Sequence, residues 1–304
     1  MTSTSLRIAN APCSWGVLEF EEQSAAGYDY ERVLDEMAAA GYAGTELGDW
    51  GFMPTDPQQL RDALVIRSLE LVGAFVPVRL ADPDARYSGE IAAVRTAQLL
   101  VDAGFPHAFV VLADDIANSP GRTAIAGRVS TADALPEPAR EIFARNSEQI
   151  ARTVLETTGV RTVFHPHCAS YIETVEEITD LMKRTDPELL GLCLDTGHLT
   201  YAGGDPREVL ELFGGRIWHV HLKDCSPVVT TRARDSEWDY HAAVRHGVFC
   251  ELGCGAVPFA EVLASLQAGG YSGWAVVEQD VLPSLGTPAA SAARNREFLR
   301  RVAL

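Results

Sequence analysis

The chain has 304 residues, 47% of them hydrophobic, and a formal net charge of −17 at pH 7. It is long enough for one large α/β domain or two ordinary ones, and its acidic balance argues against a nucleic-acid-binding surface, which needs clustered Lys and Arg. It has neither an apolar run of about 18 residues nor an apolar N-terminal segment, so we expect a cytoplasmic protein without membrane association.

Short apolar runs alternate with amphipathic helical patterns along the chain, and continuous apolar runs of this length are typical of strands covered on both faces. They predict strands at residues 7–11, 44–47, 69–76, 108–112, 161–165, 191–195, 217–222 and 274–278. The helical patterns predict helices at residues 30–40, 57–68, 89–103, 138–158, 174–185, 206–213, 258–268 and 291–302. Eight such βα units indicate an α/β fold, a (β/α)8 TIM barrel, in a single domain spanning residues 1–304.

Two predicted connections are longer than ordinary loops. One covers residues 114–136 after the fourth strand, and the other covers residues 225–257 after the seventh strand. Both lie on the βα side, where barrels of this kind carry their active sites, and long loops in compact domains are usually functional. We therefore expect these two extended βα loops to act as lids over the site.

The polar residues that could carry chemistry lie at the ends of predicted strands. Asp195, His221 and Glu278 end the sixth, seventh and eighth strands. Parallel neighbouring strands bring such residues together at the carboxyl mouth of a barrel. The three residues therefore predict a divalent metal site with nitrogen and oxygen ligands. This donor set suits Mn²⁺, Co²⁺, Zn²⁺ or Mg²⁺, and Mn²⁺ or Co²⁺ is the first expectation.

Further residues near the predicted metal site suggest acid–base chemistry. A metal on a substrate carbonyl and its neighbouring hydroxyl would lower the pKa of the intervening C–H bond. His165 and His167 are candidate base and acid, and Lys223 either neutralises charge on a substrate oxygen or is an exposed loop lysine. His219, deeper in its strand, is expected to support a neighbour, and Glu46 either belongs to the site or forms a buried salt bridge.

Seven segments carry a resemblance to a known family: residues 11–16, 44–48, 165–174, 194–198, 202–206, 219–224 and 276–280. Together they resemble the inosose dehydratases, of the sugar-phosphate isomerase/epimerase superfamily of xylose-isomerase-like barrels. The resemblance implies a metal held by four ligands from strands five to eight, of which Asp195, His221 and Glu278 match three. His165 stands where many isomerases have a glutamate. We therefore expect Glu173, in the following loop, as the fourth ligand, with His165 as the alternative.

The resemblance also implies an activity. It points to a metal-dependent hydro-lyase (dehydratase) that removes water from a keto-cyclitol or keto-sugar of the 2-keto-myo-inositol type. His165-Pro-His167 in place of the glutamate favours a base and an acid on adjacent carbons over epimerisation. The expected partner is a small polyol or keto-sugar substrate. Neither a nucleic acid nor a membrane is an expected partner, and a homodimer is the oligomer that the sequence leaves open. The residues expected to line the substrate pocket are Trp15, Glu46, His198 and Glu251.

Several alternatives stay open from the sequence. They are a ketose isomerase or epimerase, β-elimination from a 3-keto-glycoside, a phosphodiesterase resembling endonuclease IV, and a non-catalytic binding protein. The acidic charge and the lack of a three-metal, multi-histidine ligand set argue against the phosphodiesterase. Cys254 stands where relatives often carry a charged residue, so the substrate stays open within these classes.

Overall fold

Eight parallel strands close into a barrel in the computed structural model, which describes residues 6–16, 28–280 and 286–302. Each strand is hydrogen-bonded to the next one along the chain, and the last pairs with the first. The barrel strands are β1 (Arg7–Asn10), β2 (Gly44–Glu46), β3 (Glu70–Val78), β4 (Phe109–Asp114), β5 (Thr162–Phe164), β6 (Leu190–Asp195), β7 (Ile217–Leu222) and β10 (Trp274–Val277). The predicted TIM barrel is confirmed, with strand bounds within two residues of those expected.

The helices surround this barrel. They are α1 (Tyr30–Ala40), α2 (Pro57–Val65), α3 (Arg86–Asp102), α4 (Pro120–Ile125), α5 (Glu137–Thr158), α6 (Val175–Arg184), α7 (Thr196–Tyr201), α8 (Pro206–Phe213), α9 (Pro227–Asp235), α10 (Tyr240–Arg245), α11 (Phe259–Ala268) and α12 (Pro288–Val302). The first shows why the pattern is helical: the Asp29 carboxylate caps the N-terminus by accepting from the Arg32 amide, and Gly41 ends the helix at φ 87°. Among the described residues, no helix combines the length and apolar character needed to cross a membrane.

The hydrophobic core has an outer and an inner part. The outer part fills the layer between strands and helices and contains large side chains such as Leu34, Phe143 and Leu263. The inner part is a separate cluster of small and branched side chains such as Ala9, Val72 and Val276. Because the strands are parallel and the helices cover them, the polar strand ends meet at one mouth of the barrel.

The two long connections fold into short helices and a two-stranded antiparallel sheet on the βα face. The connection after β4 contains α4, and the one after β7 contains α9, α10 and an antiparallel pair of strands, β8 (Asp224–Cys225) and β9 (Phe249–Cys250). Their apolar side chains, including Ala126, Tyr240 and Phe249, join the buried Cys168 and Tyr201 in a second cluster. These segments thus form a packed cap around the mouth, where the sequence predicted loops.

Candidate active site

The strand register brings the predicted ligands to the same level of the barrel. Asp195 at the end of β6 is paired with His221 in β7. The strands β7 and β10 are also paired, and His221 lies opposite Val276 of β10. Just beyond β10, the amide of Glu278 donates to the carbonyl of Leu222 at 3.1 Å. Parallel pairing therefore sets three of the four predicted ligands side by side at the carboxyl mouth.

Four buried side chains converge at this mouth. His165, Asp195, His221 and Glu278 each offer one ligand atom, and these atoms all lie within 4.8 Å of one another. The Nδ1 of His221 lies 3.3 Å from Glu278 Oε1 and 3.8 Å from Asp195 Oδ2, and the Nε2 of His165 lies 3.6 Å from the same Asp195 oxygen.

Three of these ligand atoms are orphaned within the described structure. The Nε2 of His165, the Oδ2 of Asp195 and the Nδ1 of His221 are buried and have no hydrogen-bond partner. Leaving buried polar atoms unpaired is costly, whereas a divalent cation among them would satisfy all three. Two imidazole nitrogens and two carboxylate oxygens form a donor set that fits Mn²⁺, Co²⁺ or Zn²⁺. These residues therefore fit the implied metal.

Outer contacts orient two of these candidate ligands. The Oδ1 of Asp195 caps α7 by accepting from the amides of Gly197 and His198, both at 2.8 Å, which turns Oδ2 toward the cluster. The Oε1 of Glu46 lies 2.9 Å from the Nε2 of His221. A proton on that nitrogen leaves Nδ1 as the ligand atom, an arrangement common for metal-binding histidines.

Glu46 also joins the cluster to the barrel interior. Its Oε1 lies 2.7 Å from the Nε2 of His219, a fully buried residue, as expected of a supporting histidine. Gly73 of β3 makes room for this carboxylate, because a Cβ there would lie 2.8 Å from Glu46 Oε1. Burial opposes ionisation, but His221 and His219 lower the pKa of Glu46 to about 2. Glu46 lines the cavity and also contacts a candidate ligand.

Glu173 was expected as the fourth metal ligand, but the structure places its carboxylate away from the other candidate ligands. Its Oε1 accepts from the Gly127 amide at 2.6 Å and its Oε2 from the Ala169 amide at 2.9 Å. Both carboxylate oxygens are therefore engaged by backbone in the adjoining loops, and Glu173 is absent from the cluster of candidate ligands. His165, the alternative from the sequence, occupies the fourth position.

His167 presents one ring nitrogen to the cavity. Its Nδ1 lies 2.5 Å from the Cys168 carbonyl, so this nitrogen carries the proton and donates it. The Nε2 of the neutral ring is then an acceptor, and the Tyr240 hydroxyl donates to its lone pair at 3.3 Å. Burial, together with His165 and Lys223, lowers the pKa of His167 to about 3, which keeps the ring neutral.

Lys223 is buried at the site, so its interpretation as an exposed loop lysine is wrong. Only 2% of it is exposed, and its Nζ lies 3.2 Å from Glu278 Oε2 and 3.4 Å from the Asp280 carboxylate oxygens. Burial alone would lower the pKa of Lys223, but Asp280, Glu278 and Asp195 raise it well above its ordinary value. The group is therefore a fixed positive charge in the cavity.

Three residues expected to line the substrate pocket lie elsewhere. Trp15 is buried and donates through its indole N–H to Glu36 of α1 at 2.7 Å. Glu251 accepts from Arg294 and Ser291 of α12. His198 lies behind the cavity, with its Nε2 3.2 Å from Lys223 Nζ. The first two belong to the outer packing, and the third supports a cavity residue.

The cavity also contains residues that the sequence reasoning missed. Its lining combines ligand candidates with Cys13, Asp49, Phe75, Tyr240 and Asp280. Asp280 could have been found from its place two residues after Glu278, at the end of the eighth barrel strand. Tyr240 lies in the long connection after β7, a signal that marks the segment but not the residue.

Known proteins with similar sequences support this architecture. Residues 34–302 match the family described as xylose isomerase-like TIM barrel. An inosose dehydratase of Geobacillus kaustophilus (strain HTA426) is 33% identical over 99% of this chain and 96% of its own length. A rhizopine catabolism protein, MocC, of Rhizobium meliloti is 35% identical over 98% of this chain and 89% of its own length.

A solved structure shares the fold at lower identity. The probable 3-DHS dehydratase AsbF of petrobactin synthesis from Bacillus anthracis superposes with a TM-score of 0.69 at 13% identity, covering 97% of this chain and 99% of its own. The closed barrel, the converging strand ends and the matches over nearly the full length agree. The chain belongs to the xylose isomerase-like TIM barrel family.

Proposed function

We propose that this protein is a divalent-metal-dependent lyase that dehydrates a keto-cyclitol or keto-sugar of the 2-keto-myo-inositol type. The observation that carries the proposal is a group of four candidate metal ligands, three of which line one cavity with a neutral histidine and a buried lysine. The names of the 33% identical inosose dehydratase and of similar relatives supply the substrate class.

The metal would be held by His165, Asp195, His221 and Glu278, and Mn²⁺ or Co²⁺ is preferred for this mixed donor set. When bound, such an ion acts as a Lewis acid toward a carbonyl and a neighbouring hydroxyl oxygen, which makes the C–H bond between them more acidic. Glu46 fixes the ring of His221, and the cap of α7 fixes the carboxylate of Asp195.

His167 is the proposed base. With Nδ1 donating to the Cys168 carbonyl, Nε2 takes the proton from the carbon next to the substrate carbonyl. The electron pair of that C–H bond forms the new double bond as the C–O bond of the β-hydroxyl breaks. The imidazolium returns its proton to the leaving oxygen, so the products are water and an enol that becomes the dione.

Lys223 is proposed to stabilise the negative charge that develops on a substrate oxygen. Its ammonium group is held by Glu278, Asp280 and the ring of His198. A charge fixed in advance by such contacts does not need to reorganise during the reaction, which is the main source of electrostatic catalysis.

Turnover in D₂O separates dehydration from its rivals. With 2-keto-myo-inositol as substrate, we expect stoichiometric formation of a dione that absorbs in the ultraviolet. A ketose isomerase or epimerase would instead place deuterium in recovered substrate or its isomer without dione absorbance. Release of a sugar from a 3-keto-glycoside, with no turnover of the keto-inositol, would favour β-elimination and contradict the proposal.

A further inference from the structure

Glu173 holds two backbone segments although it lies outside the group of candidate metal ligands. It is only 2% exposed, and its two carboxylate oxygens bind different partners. One accepts from the amide of Gly127, beyond α4, and the other from the amide of Ala169, two residues after His167. A buried carboxylate used in this way fixes backbone geometry.

The bond to Ala169 reaches His167 through a single peptide group. The N–H that Glu173 accepts and the carbonyl of Cys168 belong to the same peptide plane. That carbonyl accepts the proton of His167 Nδ1 at 2.5 Å. The carboxylate, the peptide and the imidazole therefore form a continuous hydrogen-bond chain, in which each bond polarises the next.

The backbone at this point needs such support. Ala169 has a φ of 74°, in the left-handed region that residues other than glycine rarely adopt. A conformation of this kind persists only where surrounding contacts hold it, and it is common at functional sites. The bond from the Ala169 amide to Glu173 is one such contact, and it fixes the direction in which the Cys168 carbonyl points.

We propose that Glu173 is a positioning residue that fixes the orientation and tautomer of His167 through the peptide group between Cys168 and Ala169. The proton stays on Nδ1, and the lone pair of Nε2 faces the cavity. The catalytic consequence rests on the proposed function, whereas the tautomer itself does not. Through its second oxygen, Glu173 also ties this peptide to the segment that follows α4.

The test compares two variants of Glu173 with a control. Glu173→Met removes both acceptor oxygens at similar volume. Glu173→Gln keeps one acceptor and serves as well if the first variant does not fold. The control is Arg122→Lys, because Arg122 pairs with Glu177 at 2.8 Å and holds the same loops without touching the Cys168–Ala169 peptide.

The primary measurement is ¹⁵N NMR of the histidine rings in the Zn²⁺-loaded protein, with His167→Gln identifying the His167 signals. We expect the Nδ1–H tautomer in the wild type and in Arg122→Lys. Glu173→Met should shift His167 toward the Nε2–H tautomer, and Glu173→Gln should shift it less. Bound metal, measured in the same samples, should stay at the wild-type stoichiometry.

The kinetic expectation is a kcat about 10- to 100-fold lower for Glu173→Met with little change in KM, as for other outer contacts that orient a functional side chain. An unchanged tautomer in every Glu173 variant that folds would overturn the proposal. So would an equal tautomer shift in Arg122→Lys, or loss of the metal from the Glu173 variants. Because the NMR requires no substrate, absence of dehydratase activity in the wild type would count against the proposed function alone.

Discussion

At the residue scale, strand-end positions in the sequence predicted three of the four candidate metal ligands. The fourth depends on where the side chains of the loop after β5 point. Asp195, His221 and Glu278 follow from parallel neighbouring strands, because register places their side chains at one level. The choice between His165 and Glu173 could not be made from the sequence. It depends on a loop that turns the Glu173 carboxylate toward the amides of Gly127 and Ala169.

Glu46 offers the clearest test of the outer contacts. In Glu46→Gln, an uncharged amide oxygen replaces the charged Oε1 that both His219 and His221 contact, so both hydrogen bonds become weaker. The ring of His221 should lose its fixed tautomer. We expect metal affinity, measured by titration with Co²⁺, to fall about 10- to 100-fold.

The matched control for this experiment is Glu251→Gln. Glu251 lies in a pair with Arg294 at the outer packing. Its replacement should leave both metal affinity and the KM for substrate near wild type. Equal losses of metal affinity in the two variants would contradict the orienting role of Glu46, and a raised KM in Glu251→Gln would restore the residue to the substrate pocket.

Lys223 tests the proposed electrostatic role. Lys223→Met keeps the bulk of the side chain but removes the charge beside Glu278 and Asp280. Since the charge is proposed to act on the transition state, kcat should fall roughly 10²- to 10³-fold. Steady-state kinetics beside the exposed control Lys183→Met provide the measurement. A kcat within twofold of the control would argue against this role.

At the element scale, the barrel strands and their main helices were predictable and the cap was not. Long periodic segments such as α1 and α5 carry a strong signal, and α1 has the predicted bounds. The short helices α4 and α10 have six residues each, too few to show a period. The helix α10 packs in the cluster around Tyr240 and Phe249, and α4 buries Arg122, so both depend on contacts that only the folded chain creates.

The cap is joined to the barrel by a buried ion pair. Arg122 of α4 donates to both carboxylate oxygens of Glu177 in α6, at 2.8 and 2.9 Å. Arg122→Met would leave the Glu177 carboxylate without its cation, which should lower the free energy of unfolding by about 3 kcal/mol. The measurement is denaturant unfolding.

Arg184→Met is the control, because its pair with Asp180 is partly exposed and should contribute less than about 1 kcal/mol. Equal losses in Arg122→Met and Arg184→Met would mean that the buried pair does not hold the cap.

Asp114, at the end of β4, predicts a pH effect on stability. Burial raises its pKa to about 7, although the amides of Tyr171 and Leu80 and the charge of Arg122 act in the opposite direction. Between pH 3.8 and about 7 the native state keeps a proton that the unfolded chain releases. The stabilising contribution is therefore present below this range and is lost as pH rises through it.

Asp114→Asn removes this titration. The free energy of unfolding of the variant, minus that of the wild type, should increase from pH 5 to pH 8 by up to about 3 kcal/mol. This value follows from about 1.4 kcal/mol for each unit by which the pKa is raised. Urea unfolding of both proteins at the two pH values gives the comparison. A constant difference between them would show that Asp114 titrates near its ordinary value.

At the scale of the whole molecule, the fold gathers the chemistry at one end of the barrel. The candidate metal groups among the described residues overlap, since each of them contains His221. The formal net charge of −17 disfavours a polyanionic substrate such as that of a phosphodiesterase. A single metal beside one base suits elimination from a small neutral ketose or keto-cyclitol.

The most direct test of this account is water loss from 2-keto-myo-inositol by protein stripped of metal with a chelator and then reconstituted with Mn²⁺ or Co²⁺. We expect the stripped protein to be inactive, the reconstituted protein to recover, and Glu278→Gln to stay inactive after the same treatment. Turnover that is insensitive to the chelator, or full activity in Glu278→Gln, would contradict the metal-dependent mechanism.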